Sequence, residues 1–277
     1  MPELPEVETT VRGLKKVLPN LKIKNVWSDL KTKKLNLEKL KKGVVGRKIT
    51  SIKRRGKNVL IFLEKGKAIL IHLKMTGHLL YGKYRPGGRF IHVIFSLSNG
   101  QQLAFSDIRK FGKVVLIEGD PYQSPYLSHL GPEPLEKNFT FLKFKEILDR
   151  KPNWKIKTLL MDQTLIVGIG NIYSDEILWQ VGIHPEEREK NISLKKNQAM
   201  FKAVKKVLKK GINFGGDSVS DYRNIEGKRG KFQLHHRAYQ KTGEKCGKKD
   251  GGVIIRKKIG GRSAHFCSVH QKLIKRK

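Results

Sequence analysis

Pro2 and Glu3 are the residues of this chain best suited by type and position to do chemistry. Removal of Met1, which is favoured when a small residue such as proline follows, would leave Pro2 with an unblocked secondary amine. An α-amine titrates near about 7.7–8, so a useful fraction is uncharged and nucleophilic near neutral pH. Such an amine attacking a sugar carbon forms an iminium, which divides one hard displacement into two easier steps. Glu3 could move protons at the same ring. On composition alone Pro2 and Glu3 are equally good helix-start residues, so the chemistry needs support from the rest of the chain.

The elements that must position these residues follow from apolar periodicity. Leu4, Val7, Val11, Leu14 and Leu18 recur at spacings of three and four, which predicts an amphipathic helix over residues 1–18. Glu3, Glu6 and Glu8 put acid at the positive end of its dipole. The runs "LKIKNVWS", "NVLIFLE", "KAILIHLK", "RFIHVIFSL" and "GKVVLIEG" are strand-like in length and content, with Gly, Lys and Asn turns between them. They predict an α+β chain of two domains whose first, residues 1–130, is an antiparallel β-sandwich or barrel with flanking helices. A linker is expected at 131–138, within "SHLGPEPLEKN". Helical patterns fill 139–237: "TFLKFKEILDR", "NWKIKTLLMD", "SDEILWQVG" and "LKKNQAMFKAVKKVLKKG". A glycine-rich β-hairpin motif and basic tail are expected at 238–277.

Charge narrows the partner. There are 59 Lys+Arg against 24 Asp+Glu in 277 residues, a formal +35. Residues 221–277 alone hold 17 Lys+Arg and 4 Asp+Glu. Such an excess implies a polyanion, because neutralising phosphates releases condensed counterions. A ribosomal protein, a nucleoid protein and a nucleic-acid enzyme all share it. With neither an apolar run of spanning length nor a secretory leader, no membrane partner is expected. Two cysteines, Cys246 and Cys267, do not describe a secreted disulfide scaffold, so a reducing, cytoplasmic setting is expected.

Taken with the later segments, "MPELPEVETTVRGL" resembles the formamidopyrimidine-DNA glycosylase family of base-excision repair enzymes, in order from Pro2 to about Lys272. The related endonuclease VIII branch opens with a PEGPE-like stretch, so Leu4 points to the oxidised-purine branch. The resemblance implies Pro2 as nucleophile, Glu3 as proton carrier and Glu6 in support. In "RRGKN", Lys57 matches a lysine that contacts a phosphate beside the lesion; by composition it is one solvated cation among many. "HLKMTGHL" and "SDIRKFGK" carry Met75, Arg109 and Phe111, which by type alone read as core residues and a surface charge. A glycosylase must take its target base out of the stack, and an apolar wedge with a guanidinium can fill the gap. The family uses Met, Arg and Phe in these segments. Lys74 departs from it, since glycine is usual there.

"LLMDQTLIVGIGNIYSDEIL" is a helix, a glycine-bearing turn and a helix, an ordinary pairing unless amides at the second helix start bind phosphate. It resembles the family's helix–two-turn–helix, which implies Asn171 as a phosphate grip and Gly168 and Tyr173 as shapers of the turn. "GGDSVSDYRNIEGKRGKFQ" corresponds to the loop over the flipped base, implying lesion contacts from Ser218, Ser220, Asp221 and Tyr222. Arg223, Lys228 and Arg229 make it unusually basic, and a mobile surface loop is the bland alternative.

The family closes with a CxxC…CxxC zinc hairpin, and here the segment reads "CGKKDGGVIIRKKIGGRSAHFCSVHQK". Only Cys246 and Cys267 remain, with His270 in the last ligand position. The missing position is Lys249 by CxxC spacing, or Asp250 if sixteen residues precede Cys267. Cys246, Asp250, Cys267 and His270 are all acceptable ligands for a tetrahedral structural Zn2+. The alternative is a hairpin held by packing, with two buried thiols. Arg262, five residues before Cys267, matches the family's phosphate-clamping finger arginine.

These residues imply a monomeric bifunctional glycosylase/AP lyase acting on damaged double-stranded DNA, in the cytoplasm and at the nucleoid. Its substrates would be oxidised purines such as 8-oxoguanine and formamidopyrimidines, with strand cleavage by β,δ-elimination. The alternatives are an endonuclease VIII-like glycosylase for oxidised pyrimidines and a non-catalytic DNA-binding protein on the same scaffold.

Overall fold

The computed structural model of the chain describes residues 1–30 and 35–274, so 275–277 of the expected basic tail lie outside the described residues. Two compact units form: Met1–His129 with Gly211–Gln233, and Leu130–Lys210 with Leu234–Lys277.

In the first unit, helix α1 (Leu4–Val17) precedes strands β1 (Ile23–Ser28), β2 (Ile49–Arg55), β3 (Asn58–Leu63), β4 (Lys67–His72), β5 (His78–Gly82), β6 (Ile91–Leu97), β7 (Gln102–Ser106) and β8 (Lys113–Glu118). Helix α2 (Leu37–Val44) lies between β1 and β2. Two four-stranded antiparallel sheets result, ordered β1-β6-β7-β5 and β2-β3-β4-β8. Their facing sides share one apolar core with α1: Val7, Val11 and Leu14 meet Ile52, Ile61, Ile71, Val93 and Phe105. Near-continuous burial of β3, β4 and β6 and the three-and-four spacing of α1 thus converge on one sandwich.

The first helix starts later than its apolar spacing suggests. Met1 and Pro2 precede it, and Glu3 is its extended N-cap (φ −107°, ψ −167°). Pro5, not Pro2, supplies the first-turn proline. The helix cannot begin earlier because the Glu3 amide is bonded to the Glu6 carboxylate (2.7 Å), which closes the cap there.

The second unit holds helices α3 (Phe141–Asp149), α4 (Ile156–Met161), α5 (Asn171–Val181) and α6 (Leu194–Asn213), whose last turn enters the first unit. Within the segment 238–277 the expected hairpin forms from β9 (Ile254–Ile259) and β10 (Arg262–Cys267). Its turn, Gly260-Gly261, has both residues at positive φ (55° and 75°), as a two-residue hairpin loop requires.

Residues 211–233, read from the sequence as part of the helical domain, cluster with the sandwich. The physical reason is a set of bonds across more than 200 residues of chain, from Asp217 and Tyr222 to Glu6. Among the described residues, no helix is long and apolar enough to cross a membrane.

Candidate active site and metal cluster

Glu6 organises the start of the chain. Its Oε2 accepts from the Glu3 amide and its Oε1 from the Asp217 amide, each at 2.7 Å. Glu6 itself is 1% exposed, and Pro2 and Glu3 are buried beside it. One carboxylate therefore ties the catalytic candidates Pro2 and Glu3 to the loop at 217. Gly216 (φ +84°) permits this approach, since a Cβ there would stand 3.0 Å from Glu6 Cγ.

The loop candidates divide into two kinds. Tyr222 is buried and donates to the Glu6 carbonyl (2.9 Å); burial raises its phenol pKa. Ser218 is buried, donates to the Tyr222 carbonyl (2.8 Å) and accepts from the Gly230 amide (2.9 Å). Both side chains face inward and hold the loop shape. Ser220 is exposed and Asp221 half-buried, so these two can meet a ligand. Arg229 donates to the Ser218 carbonyl (2.6 Å) and Lys228 pairs with Glu226 (2.8 Å), so the extra basic residues brace the loop. Asp221 and Arg223 also line a cavity of about 460 Å³ with His78, Tyr84, Arg85 and Arg89.

Lys57 occupies the two-residue turn Gly56-Lys57 between β2 and β3 and is buried, at 7% exposure. That is not the environment of a solvated surface lysine. Nearby, at the end of β4, His72 is missed by sequence reasoning. Burial, reinforced by Lys74, Lys57 and Lys113, pushes its pKa down to about 3, so the ring is neutral at physiological pH. Its Nδ1 accepts from the Lys74 amide (3.0 Å), which puts the proton on Nε2 as a donor. Lys74 has φ 55°, the left-handed region. That conformation accounts for the family's preference for glycine at this place.

Met75, Arg109 and Phe111 sit on two turns joined by a buried carboxylate that the sequence did not advertise. Asp107 Oδ1 accepts from Thr76 Oγ1 and from the Arg109 amide (3.2 Å), and Oδ2 accepts from the Gly112 amide (2.7 Å). Thr76 Oγ1 in turn accepts from the Arg109 amide (3.1 Å). The turn thus held presents exposed Arg109 over the ring of Phe111, 4.6 Å from its centroid, with Phe111 45% exposed. An aspartate two residues before an arginine is a detectable Asx-turn signal.

In the second unit, the turn between α4 and α5 is clamped by Gln163. It accepts from the Gly168 amide (2.9 Å) and donates to the carbonyls of Met161 and Ile169 (2.7 Å each). Gly168 has φ 98° and Tyr173 is fully buried, as turn-shaping residues would be. Asn171 opens α5, and its buried Oδ1 has no hydrogen-bond partner. Asp175, also missed, binds Lys157 through one oxygen and the His265 amide and ring Nδ1 (3.0 Å each) through the other. It fastens β10 to α5, and Arg262 stands exposed at the start of β10.

Cys246, Asp250, Cys267 and His270 converge, with their ligand atoms all within 4.8 Å of one another. Lys249 is exposed, at φ 56°, so Asp250 takes the position the sequence left open. Cys246 Sγ lies 3.5 Å from His270 Nδ1, and Cys267 Sγ 3.4 Å from Asp250 Oδ2. A tetrahedral ion with metal–sulfur bonds of about 2.3 Å and metal–nitrogen bonds of about 2.0–2.1 Å separates such ligands by roughly 3.5 Å. His270 Nε2 faces the Trp179 carbonyl (3.1 Å) and so carries the ring proton. That leaves the Nδ1 lone pair 2.6 Å from Asp250 Oδ2, an arrangement that calls for a cation or a second proton. The Gly252 amide (2.9 Å to Oδ1), aided by His270 and Cys267, holds the Asp250 carboxyl down at about 2. The residues present fit a structural metal ion.

Comparison with known proteins bears on all these segments. The formamidopyrimidine-DNA glycosylase N-terminal domain matches residues 1–114, and the formamidopyrimidine-DNA glycosylase H2TH domain matches residues 130–223. The formamidopyrimidine-DNA glycosylase of Pelotomaculum thermopropionicum is 40% identical over 279 residues, covering 99% of this chain and all of that protein. That of Bacillus subtilis is 39% identical, covering 97% of this chain and 98% of the relative. A crystal structure of a Lactococcus lactis Fpg mutant in complex with Fapy-dG-containing DNA superposes with a TM-score of 0.90 at 35% identity. It covers 98% of this chain and 100% of that one.

Proposed function

Since the chain belongs to the formamidopyrimidine-DNA glycosylase family, a family of glycosylase/AP lyases, we propose that it excises oxidised purines from duplex DNA through its own N-terminal amine. The observation that carries this reading is the Glu6 carboxylate held between the Glu3 and Asp217 amides. It fixes Pro2 and Glu3 against the loop whose accessible members, Ser220 and Asp221, would meet the flipped base.

Once Met1 is removed, the Pro2 nitrogen attacks C1′ of the damaged nucleotide. The glycosidic bond breaks and the base leaves with its electron pair, taking up a proton. Glu3 passes a proton to the sugar ring oxygen as the ring opens to the iminium. Loss of the 3′ phosphate by β-elimination and of the 5′ phosphate by δ-elimination then cuts the strand on both sides. Lys57 and His72 hold phosphate on the sandwich side, one as a cation and one as a neutral donor. Asn171 and Arg262 bind backbone from the helical unit. Met75, Arg109 and Phe111 fill the space the base vacates.

Cys246, Asp250, Cys267 and His270 would hold a zinc ion whose contribution is structural, cross-linking the turn at 246–250 to the end of β10. Arg262, at the other end of the same strand, depends on that anchorage.

Borohydride trapping on a duplex with a single 8-oxoguanine tests the reading. Wild type with Met1 removed is expected to give a covalent complex that Pro2→Gly loses. Tight binding without any trapped complex would sink the lyase mechanism. Parallel release from thymine-glycol duplexes, exceeding that from 8-oxoguanine, would move the substrate class to oxidised pyrimidines.

A further inference from the structure

Helix α6 (Leu194–Asn213) carries seven lysines and no acidic residue. Lys195, Lys202, Lys206 and Lys209 recur at i, i+7, i+11 and i+14, so they share one face of the helix. All four are exposed, while Met200, Ala203, Val204, Val207 and Leu208 are buried on the other side. At about 1.5 Å per residue the stripe runs roughly 21 Å.

Two other helices of this chain each hold a cation in a local pair. In α1, Arg12 meets Glu8 one turn away at 2.9 Å, and in α3 Lys145 meets Asp149. None of the four stripe lysines has an ion-pair partner among the described residues. Like charges at i,i+4, as at Lys202 and Lys206, destabilise a helix, and Glu at either place would have stabilised it. Of the three remaining lysines on the helix, two serve the fold, Lys205 donating to the Phe139 carbonyl (2.9 Å) and Lys196 to the Gly182 carbonyl (3.1 Å), and Lys210 is half-buried.

We propose that this stripe is a second DNA-binding surface, which takes the phosphate backbone of duplex DNA outside the lesion site and without regard to sequence. It lies on a different element from those bearing Asn171 and Arg262. Duplex DNA is favoured over an anionic membrane because Met200, Ala203, Val204, Val207, Leu208 and Ile212 are buried in the protein, which leaves α6 no continuous apolar face to insert into lipid, only Leu194 at its first residue. The proposal goes beyond the excision chemistry but rests on DNA as the partner.

The test replaces Lys195, Lys202, Lys206 and Lys209 together by Gln, which keeps helix propensity and removes charge. Binding to a long undamaged duplex is measured across salt concentrations, alongside single-turnover cleavage of a short lesion duplex. The slope of log K against log salt is expected to shrink by about 3–4, close to 0.9 for each lysine removed. Cleavage of the short duplex is expected to stay unchanged. The matching Lys→Arg quadruple variant should keep the wild-type slope, which separates charge from folding. An unchanged slope in the Gln variant overturns the proposal. So does an equal loss on the short duplex, which would make the stripe part of the lesion footprint. Binding to phosphatidylserine vesicles that vanishes in the Gln variant while the DNA slope persists would assign the stripe to a membrane instead. Failure of wild type to cleave the short duplex would sink the excision reading and leave the slope comparison standing.

Discussion

Glu6 and Asp250 are both carboxylates that fix a functional segment, and they keep opposite company. Glu6 is met by two backbone amides, from Glu3 and Asp217, with a Tyr222 hydroxyl on its own carbonyl. Asp250 is met by one amide, from Gly252, and otherwise by Cys267 Sγ and the ring nitrogen of His270. Donors converging on a carboxylate complete it, because every charge-assisted bond comes from the protein. Ligand atoms converging on one another leave a demand for positive charge at their centre. The N-terminal site is therefore built by the chain alone, whereas the ligand set of the C-terminal hairpin fits an ion at its centre. A two-stranded hairpin is marginal in water by itself, which makes the second dependence the heavier one.

Metal removal should show the largest effect. Structural zinc contributes about 10–16 kcal/mol of apparent binding free energy at pH 7 in small metal-folded peptides. A strong chelator is expected to strip hydrogen-exchange protection from the β9 and β10 amides while those of Glu3 and Asp217 stay protected. Loss of both sets together would break the comparison.

Glu6→Ala attacks the other side of it. Two buried amide donors lose their acceptor at about 1–3 kcal/mol each, so urea unfolding should report a loss of roughly 2–6 kcal/mol. Glu6→Gln, which keeps one acceptor oxygen, should lose clearly less. An alanine variant as stable as its parent would show that the N-terminal segment is held by packing instead.

A smaller, pH-dependent effect belongs to His72. Its folded pKa of about 3 lies below the ordinary 6.5, so the unfolded chain binds the extra proton first. Stability must then rise with pH between about 3 and 6.5, and be lost as pH falls through that window. Unfolding free energies measured from pH 7 down to pH 4 should flatten in His72→Gln. An unaltered slope would assign the titration to another group.

The smallest change expected is at Lys74, which sits at φ 55°. Lys74→Gly relieves roughly 1–2 kcal/mol of left-handed strain and gives back about 0.5–1 kcal/mol as glycine entropy. A net gain near 0.5 kcal/mol in thermal or urea unfolding is expected. A net loss would mean that the lysine side chain contributes to the sandwich more than its backbone costs.

Much of the fold was legible in advance. Strands β1, β3, β4, β6 and β8 and helices α3 and α4 lie within the runs singled out by apolar pattern, α5 starts three residues before its run and α6 ends two residues after its own. Strands β2, β5 and β7 were passed over. In "ITSIKRR" only Ile49 and Ile52 are apolar and three cations dilute the signal, while "HLLYG" and "QLAFS" have five residues each, too few to establish a period. Helix α2 has eight residues and three lysines, and its Asn36 cap shows only once the backbone is closed.

What the sequence by itself determined is what is legible locally: the amphipathic face of α1, the short apolar runs of the strands, the paired glycines of the hairpin turn, the order of motifs and the cationic excess. Periodicity encodes which side of an element is buried, and burial needs no knowledge of the partner. Only the tertiary structure decided the start of α1 at Leu4, the inward turn of Ser218 and Tyr222, the choice of Asp250 over Lys249, and the parts played by His72, Asp107 and Asp175. Each of those is a pairing of one donor with one acceptor, or one charge with its neighbours, some between residues two to five apart and others across dozens to more than two hundred. Such pairings leave no period in the chain, because their geometry exists only after it has closed on itself.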